Sequence, residues 1–121
     1  MAIVGKGMTR LDPEVVGLAK RLNLRLSDST AGNAYLRRQD GWALMQHDVP
    51  VLMVTTAYGD IARIERFFEG DYHRPSDQVK PGLELGGAAQ DVLFHVALAR
   101  WFGDERKYQG ASSGTGVGSA R

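Results

Sequence analysis

The sequence predicts a small α+β domain in which one helix precedes a three-stranded antiparallel meander and two helices follow it, in the order α-β-β-β-α-α. Three observations predict this class: apolar residues at helical spacing near both ends, an Asp-Gly turn between two short segments, and a β-branched run after them. The domain is expected to span residues 1–103 of the 121. Residues 104–121 are rich in Gly and Ser and are expected to form a flexible tail.

The first helix is predicted from about Pro13 to Leu22. Asp12 is suited to accept hydrogen bonds from the amides of the first turn, and Pro13 has no amide that would need a partner there. Asn23 suits a left-handed residue just after the helix. These cues agree with one another, so this helix is the best specified element of the chain.

The meander is predicted over about 34–56. Asp40-Gly41 favours a two-residue hairpin turn, because a type I′ turn needs positive φ at both central positions. Residues 35–39 and 42–46 would form the paired strands, and the β-branched run 51–56 would form the third.

A second helix is predicted over about 60–69, with Asp60 as its N-cap and Gly70 closing it. A third is predicted over about 87–102, where the residues from Val92 to Phe102 are apolar except for His95 and Arg100. A helix that is apolar on nearly all sides belongs in the centre of a fold or at a subunit interface. The candidates for self-association into a homo-oligomer are therefore Val92, Val96 and Trp101.

Composition excludes several classes of function. The absence of cysteine rules out a disulfide scaffold, a thiolate zinc site and a cysteine nucleophile. The chain starts without the long apolar stretch of a secretory signal and has no run near the roughly 20 residues that span a bilayer, so we expect a cytoplasmic protein without a membrane partner. The net charge of +1 gives no overall attraction to polyanions, but residues 1–38 hold seven basic and three acidic side chains.

Catalytic patterns are weak, and neither a cofactor nor a metal site is predicted. Gly5-Lys6-Gly7 resembles a phosphate loop only faintly, because the spacing G-x-x-x-x-G-K-[ST] is absent. Asp91 and His95 are four residues apart on one helix face, where a carboxylate can orient an imidazole ring. The other histidines, His47 and His73, fall in predicted turns or loops.

Two clusters combine aromatic side chains with arginine. In the predicted hairpin, Tyr35, Arg37 and Trp42 share one face and Arg38 lies on the other. Three interpretations stay open for it: rings facing the core, a protein-binding surface, or a surface that stacks nucleic-acid bases. The second cluster, Tyr72 and Arg74, lies in the long connection after the second helix, where recognition residues are common.

These observations favour a small non-enzymatic binding or regulatory protein that acts through a protein–protein interface, such as an accessory or inhibitor protein of a phage or plasmid. The alternative is a nucleic-acid-binding module that uses the basic first third and the hairpin. A third hypothesis is a small hydrolase or metal enzyme that depends on His47, His73 or His95. The partner-binding candidates are Tyr35, Arg37, Arg38, Trp42, Tyr72 and Arg74.

Overall fold

A computed structural model describes residues 1–109 of the chain, so residues 110–121 of the predicted tail lie outside the described part. The strands are β1 (Ala2–Val4) and β2 (Met53–Thr55), and the α-helices are α1 (Asp12–Arg21), α2 (Gly41–Met45), α3 (Ile61–Glu69) and α4 (Gly86–Phe102). Residues Ala31–Arg38 and Ala57–Gly59 form 3₁₀ segments. None of the helices between residues 1 and 109 is long and apolar enough to cross a bilayer.

The predicted three-stranded meander is wrong, because the sheet within residues 1–109 has two strands. β1 and β2 pair antiparallel, with Ala2 opposite Thr55, Ile3 opposite Val54 and Val4 opposite Met53. β2 corresponds to the last of the three predicted strands. The first strand was not predicted, since three residues are too few to show an alternating pattern.

The predicted hairpin is replaced by helical turns. Asp40 has a φ of −60° and a ψ of −33°, and α2 begins at the next residue, so no type I′ turn forms. Gly41 serves a different purpose: a Cβ at this position would collide with the side chain of Val51. The residues that face inward here, Leu36 and Met45, pack with Val4 in a small second core.

The three longer helices agree with the sequence. Asn23 has a φ of 54°, as predicted, and the next amide bonds back to the carbonyl of Ala19 at 2.9 Å. Asp60 caps α3 by accepting a hydrogen bond from the Arg63 amide at 3.0 Å. Asp12 is an exception, because its carboxylate accepts from the Gly7 amide at 2.6 Å and makes no cap bond to its own helix.

The main core lies between the sheet, α1 and α4. It consists of the buried side chains of Ile3, Val15, Leu18, Ala19, Val54, Phe94 and Leu98. Thus α4 contributes only its inner face to the core, while apolar residues on its other side remain exposed. Gly87 lets α4 approach β2 closely, since a Cβ there would come within 2.7 Å of the Thr56 hydroxyl oxygen.

Candidate functional site

A continuous row of aromatic rings lies on the side of the molecule that carries α3. Its members, which we call the ring surface, are Tyr35, Tyr58, Phe67, Phe68, Tyr72 and His73. The centroid distances are 5.2 Å from Tyr35 to Tyr58 and 5.5 Å from Tyr35 to Phe68. The row continues with 4.9 Å from Phe68 to Tyr72 and 3.8 Å from Tyr72 to His73. Tyr72 and His73 are stacked, with 20° between their planes, and the other pairs are tilted or edge-to-face. Tilted and edge-to-face rings at these distances attract one another beyond the area that they bury.

The end of α3 sets the geometry of half of this surface. Gly70 closes the helix, and the amide of Tyr72 then donates to the carbonyl of Phe67 at 3.1 Å. His73 follows in a left-handed conformation, with a φ of 59°. The turn therefore folds Tyr72 and His73 back toward the two phenylalanines at the C-terminal end of α3.

Arg38 extends across the rings from the end of the Ala31–Arg38 segment. The carbon at the centre of its guanidinium lies 5.8 Å from the Tyr35 ring centroid and 5.3 Å from that of Phe68. These distances fit a cation–π interaction with both rings. Arg38 is exposed, and no carboxylate of residues 1–109 forms a salt bridge with it.

The ring surface also holds negative charge. The Tyr35 hydroxyl donates to Glu65 at 3.1 Å. Partial burial, followed by this hydrogen bond, raises the pKa of the Tyr35 phenol above its ordinary value. Beside Tyr72, hydrogen bonds from Lys80, at 2.7 Å, and from Ser76 lower the pKa of Asp71. The surface is therefore of mixed charge.

The structure brings together only half of the predicted partner-binding residues. Tyr35, Arg38 and Tyr72 join the ring surface, whereas Arg37 and Trp42 form a pair of their own at 5.2 Å. The predicted shared face of Tyr35, Arg37 and Trp42 is wrong, because no hairpin exists to align them.

Trp42 and Arg74 differ in their surroundings. Trp42 is half-buried against the small second core, which matches part of the interpretation that the rings face the core. Arg74 is exposed in the turn after α3, where its amide donates to the carbonyl of Asp71 at 3.0 Å.

Sequence reasoning missed Tyr58, Phe67 and Phe68 as members of this surface. Phe68 and Tyr72 are four residues apart, a spacing at which side chains meet on a helix, and this could have linked α3 with the loop cluster. Tyr58 carries no such signal. It reaches Tyr35 because the second 3₁₀ segment folds against β1 and its neighbours.

The histidines show little sign of joint chemistry. His95 Nδ1 lies 2.7 Å from the Asp91 carbonyl oxygen, while the Asp91 carboxylate accepts from Thr55 Oγ1 at 2.7 Å and from the Thr56 amide at 2.8 Å. His73 stacks on Tyr72, and His47 is exposed after α2. Within residues 1–109 no group of three or more His, Asp or Glu side chains could hold a metal ion.

The backbone amides of the Gly5-Lys6-Gly7 loop already donate hydrogen bonds to side chains of the same chain. The amides of Gly5 and Lys6 donate to Asn33 Oδ1 at 2.8 and 2.9 Å. The Gly7 amide donates to Asp12. A phosphate would find none of these three amides available, so the faint likeness to a phosphate loop carries no chemistry.

The self-association candidates divide into two kinds. Val92 and Val96 are exposed on the outer side of α4, at 62% and 46% of their full accessibility. Trp101 is half-buried and links α4 to α1: its Nε1 donates to Glu14 at 2.8 Å, and the Arg21 guanidinium lies 4.2 Å from its ring centroid.

Comparison of the chain with protein-family models, with curated proteins and with solved structures gave no match.

Proposed function

We propose that this chain is a non-enzymatic binding protein, and that its ring surface binds a protein segment that carries a carboxylate next to apolar side chains. The observation that carries the proposal is Arg38, which lies over two aromatic rings and has no carboxylate partner within residues 1–109. An arginine placed over aromatic rings keeps its planar guanidinium free to pair with a carboxylate by two parallel hydrogen bonds.

The composition of the surface supports a protein partner. Tyr and Arg are enriched among the residues that contribute most to protein–protein binding, and rigid rings lose little conformational entropy when they are covered. Phe67 is exposed and Phe68 and Tyr72 are half-buried, so the row offers apolar area together with hydroxyl groups. A partner that covers the rings would also exclude water from the ion pair with Arg38.

The nucleic-acid alternative has weaker support. A surface that follows a phosphate backbone needs cations without interspersed carboxylates. Here Glu65 accepts a hydrogen bond in the middle of the row, and Asp71 lies beside Tyr72. Arg38 also covers part of the Tyr35 and Phe68 faces on which bases would stack.

The proposal is tested by selecting peptides from a random display library against the full chain and measuring their affinity by calorimetry. We expect peptides with a carboxylate next to an aromatic or aliphatic residue. Arg38→Ala and Phe67→Ala should each weaken binding by about tenfold or more, as is typical of residues central to an interface. Arg25→Ala is the matched control, since Arg25 is also exposed but lies in the segment after α1.

Two results would overturn the proposal. One is a set of peptides whose affinity is the same for the unaltered chain, Arg38→Ala and Arg25→Ala. The other is binding of single-stranded DNA or RNA that falls steeply with salt and is lost in Arg38→Ala, which would establish the nucleic-acid alternative instead.

A further inference from the structure

An open apolar groove of about 660 Å³ lies between the end of α1 and α4. Its volume is within the range of about 300–1,000 Å³ that small-molecule sites occupy in proteins. Leu18 and Phe94 belong to its lining and are also buried members of the main core. Because close-packed core residues change position little, the groove is a preformed feature of the fold.

The walls of the groove are made almost entirely of hydrocarbon. The apolar side chains that complete the lining are those of Leu22, Leu24, Leu93, Val96, Ala97 and Trp101. Among the lining side chains of residues 1–109, Gln90 carries the only uncharged polar group apart from the Trp101 indole N–H, which already donates to Glu14 at 2.8 Å. An extended peptide in this groove would lose the hydration of its backbone and find few partners there. An alkyl chain has no such groups to satisfy, so the walls favour an aliphatic ligand.

Two arginines without a carboxylate partner lie at one end of the groove. Arg100 and Trp101 are the last residues that α4 contributes to the lining, and the Arg21 guanidinium lies 4.2 Å from the Trp101 ring centroid. Neither arginine forms a salt bridge within residues 1–109. Lys107 also belongs to the lining, but its ammonium group is paired with Asp104 at 3.1 Å. The positive charge left unpaired at this end is therefore that of Arg21 and Arg100.

We infer that this groove binds a single-chain anionic amphiphile, a ligand separate from the partner of the ring surface. The alkyl chain lies against the apolar walls, and the anionic head group accepts hydrogen bonds from the guanidinium groups of Arg21 and Arg100. Guanidinium groups pair with carboxylates and phosphates through two parallel hydrogen bonds, which suits an anionic head group at this end. From Trp101 to Gln90 the groove follows α4 for about 16 Å, at the helical rise of roughly 1.5 Å per residue.

The surroundings of the groove favour a free amphiphile over a bilayer surface. Attraction to an anionic bilayer is typical of clusters of about four to eight basic residues. Here the two unpaired arginines are accompanied by the carboxylates of Glu14 and Asp104, which contact Trp101 and Lys107 of the lining. The buried part of the lining is also open to a single chain that enters the groove, whereas a flat surface would not reach it.

The first test is a titration of the full chain with dodecanoate at neutral pH, measured by calorimetry. We expect saturable binding of one dodecanoate per chain. Dodecyltrimethylammonium has the same alkyl chain with a cationic head group and should bind at least about tenfold more weakly, because it meets two arginines. Trp101 fluorescence should change with the same midpoint in Trp42→Phe, where Trp101 is the sole tryptophan. Absence of saturable dodecanoate binding up to about 1 mM would overturn the inference.

The second test varies the length of the ligand, from hexanoate through octanoate and decanoate to dodecanoate. Each CH₂ group that leaves water raises affinity by about threefold to fourfold, so Kd should fall steadily along the series until the chain fills the groove. Equal affinity for hexanoate and dodecanoate would mean that the alkyl chain does not contact the walls, and it would contradict the proposal.

Charge reversal at Arg100 locates the head group. Arg100 is exposed, so Arg100→Glu should fold normally. It should weaken dodecanoate binding by about tenfold or more and strengthen the binding of dodecyltrimethylammonium. Arg66→Glu is the matched control, since Arg66 is also exposed but lies on α3. Equal dodecanoate affinity in the two variants would show that the anionic head group does not lie at this end, and the proposal would fail.

A substitution in the wall tests the alkyl chain without changing the charge. Leu93 is 73% exposed, so Leu93→Gln leaves the core intact and should weaken dodecanoate binding by about fivefold or more. Leu83→Gln is its control, since Leu83 is 55% exposed in the connection before α4 and does not line the groove. The same dodecanoate affinity in both variants would contradict the placement of the chain.

Two other occupants would give different results. Binding to phosphatidylglycerol vesicles that is lost in Arg100→Glu, without binding of dodecanoate, would assign the groove to a bilayer surface. Binding of an acidic amphipathic helical peptide, again without dodecanoate, would assign it to a protein, and either result overturns the inference. Arg38→Ala should leave dodecanoate affinity unchanged, because Arg38 lies over the ring surface. The proposals for the groove and for the ring surface therefore fail separately.

Discussion

The ring surface and the outer side of α4, which carries Val92 and Val96, are both exposed, but they are held in place in opposite ways. The ring surface is organised by contacts among its own members, such as the Tyr35 hydroxyl bond to Glu65, and α3 beneath it has no fully buried residue. The outer side of α4 belongs to a helix that is anchored from within by Phe94 and Leu98. The shape of the first surface depends on surface interactions, and that of the second depends on the core.

This difference affects how each surface would respond to a partner. Surface contacts contribute little free energy individually, so the ring surface can adjust its turn and side chains when it is covered. A helix face fixed by the core offers a rigid surface that changes little when it is covered. The predictions below test this contrast from the largest expected effect to the smallest.

The largest effect is expected from Phe94→Ala. Phe94 is 0% exposed in the main core, so its truncation should lower the free energy of unfolding by about 3–5 kcal/mol. Val92→Ala, two residues away on the outer side, is the control and should change it by less than about 0.5 kcal/mol at concentrations where the chain is monomeric. Denaturant unfolding followed by circular dichroism measures both. Similar losses in the two variants would mean that the two sides of α4 are not distinct.

An intermediate effect is expected from Asp91→Ala. The Asp91 carboxylate accepts from Thr55 Oγ1, the Thr56 amide and Thr56 Oγ1, and so ties α4 to the end of β2. Its loss should cost about 1–3 kcal/mol, because part-buried donors lose their acceptor. Asp91→Asn should cost less, since its amide oxygen still accepts.

Hydrogen exchange identifies where Asp91 acts. The Thr56 amide should exchange faster in Asp91→Ala, while amides of α3 keep their rates, because the ring surface has separate anchors. Faster exchange throughout α3 would show that the ring surface depends on the core after all.

The sequence was sufficient to predict a helix where the residues at the helix ends carry their own boundary signals. Asp60 and Asn23 take the conformations that their capping roles predict, because the interactions that fix them lie within four or five residues. The prediction for residues 31–56 was wrong because the contacts that fix this region are not local. Gly41 was interpreted as a turn glycine, but its role is to accommodate Val51, and Leu36 turns inward to meet β1. Those contacts join distant segments, and no local pattern records them.

The same limit applies to the candidate site. Residue type identified Tyr35, Arg38 and Tyr72, since exposed aromatic and arginine residues are typical of binding surfaces. Residue type could not place them together, because Tyr35 meets Phe68 only through the packing of the Ala31–Arg38 segment against α3. The sequence could single out Val92 and Val96 as candidates for self-association, because helical periodicity alone shows when a helix has apolar residues on more sides than one core can cover.

The smallest effect is expected from pH, and it acts on the turn that carries Tyr72. Asp71 is hydrogen-bonded to Lys80 at 2.7 Å, and its pKa is lowered from the ordinary 3.8 by that bond and by one from Ser76. A lowered pKa in the folded chain means that the carboxylate stabilises the turn above pH 3.8 and that this contribution is lost as the pH falls through the folded value. Lys80→Ala should therefore raise the pKa of Asp71 and reduce the acid sensitivity of the Tyr72 ring resonances.

Asp104 provides an internal reference for this titration. Hydrogen bonds from Arg106 and Lys107 lower its pKa to about 2. Neither residue touches Asp71, so the pKa of Asp104 should be unchanged in Lys80→Ala when both carboxyl groups are followed by NMR. If Asp71 titrates identically with and without Lys80, the Lys80 ion pair does not hold the turn, and the packing of Tyr72 on Phe68 becomes its main constraint. The ring surface would then resemble the outer side of α4, with a shape set by apolar packing, and the contrast between the two surfaces would be lost.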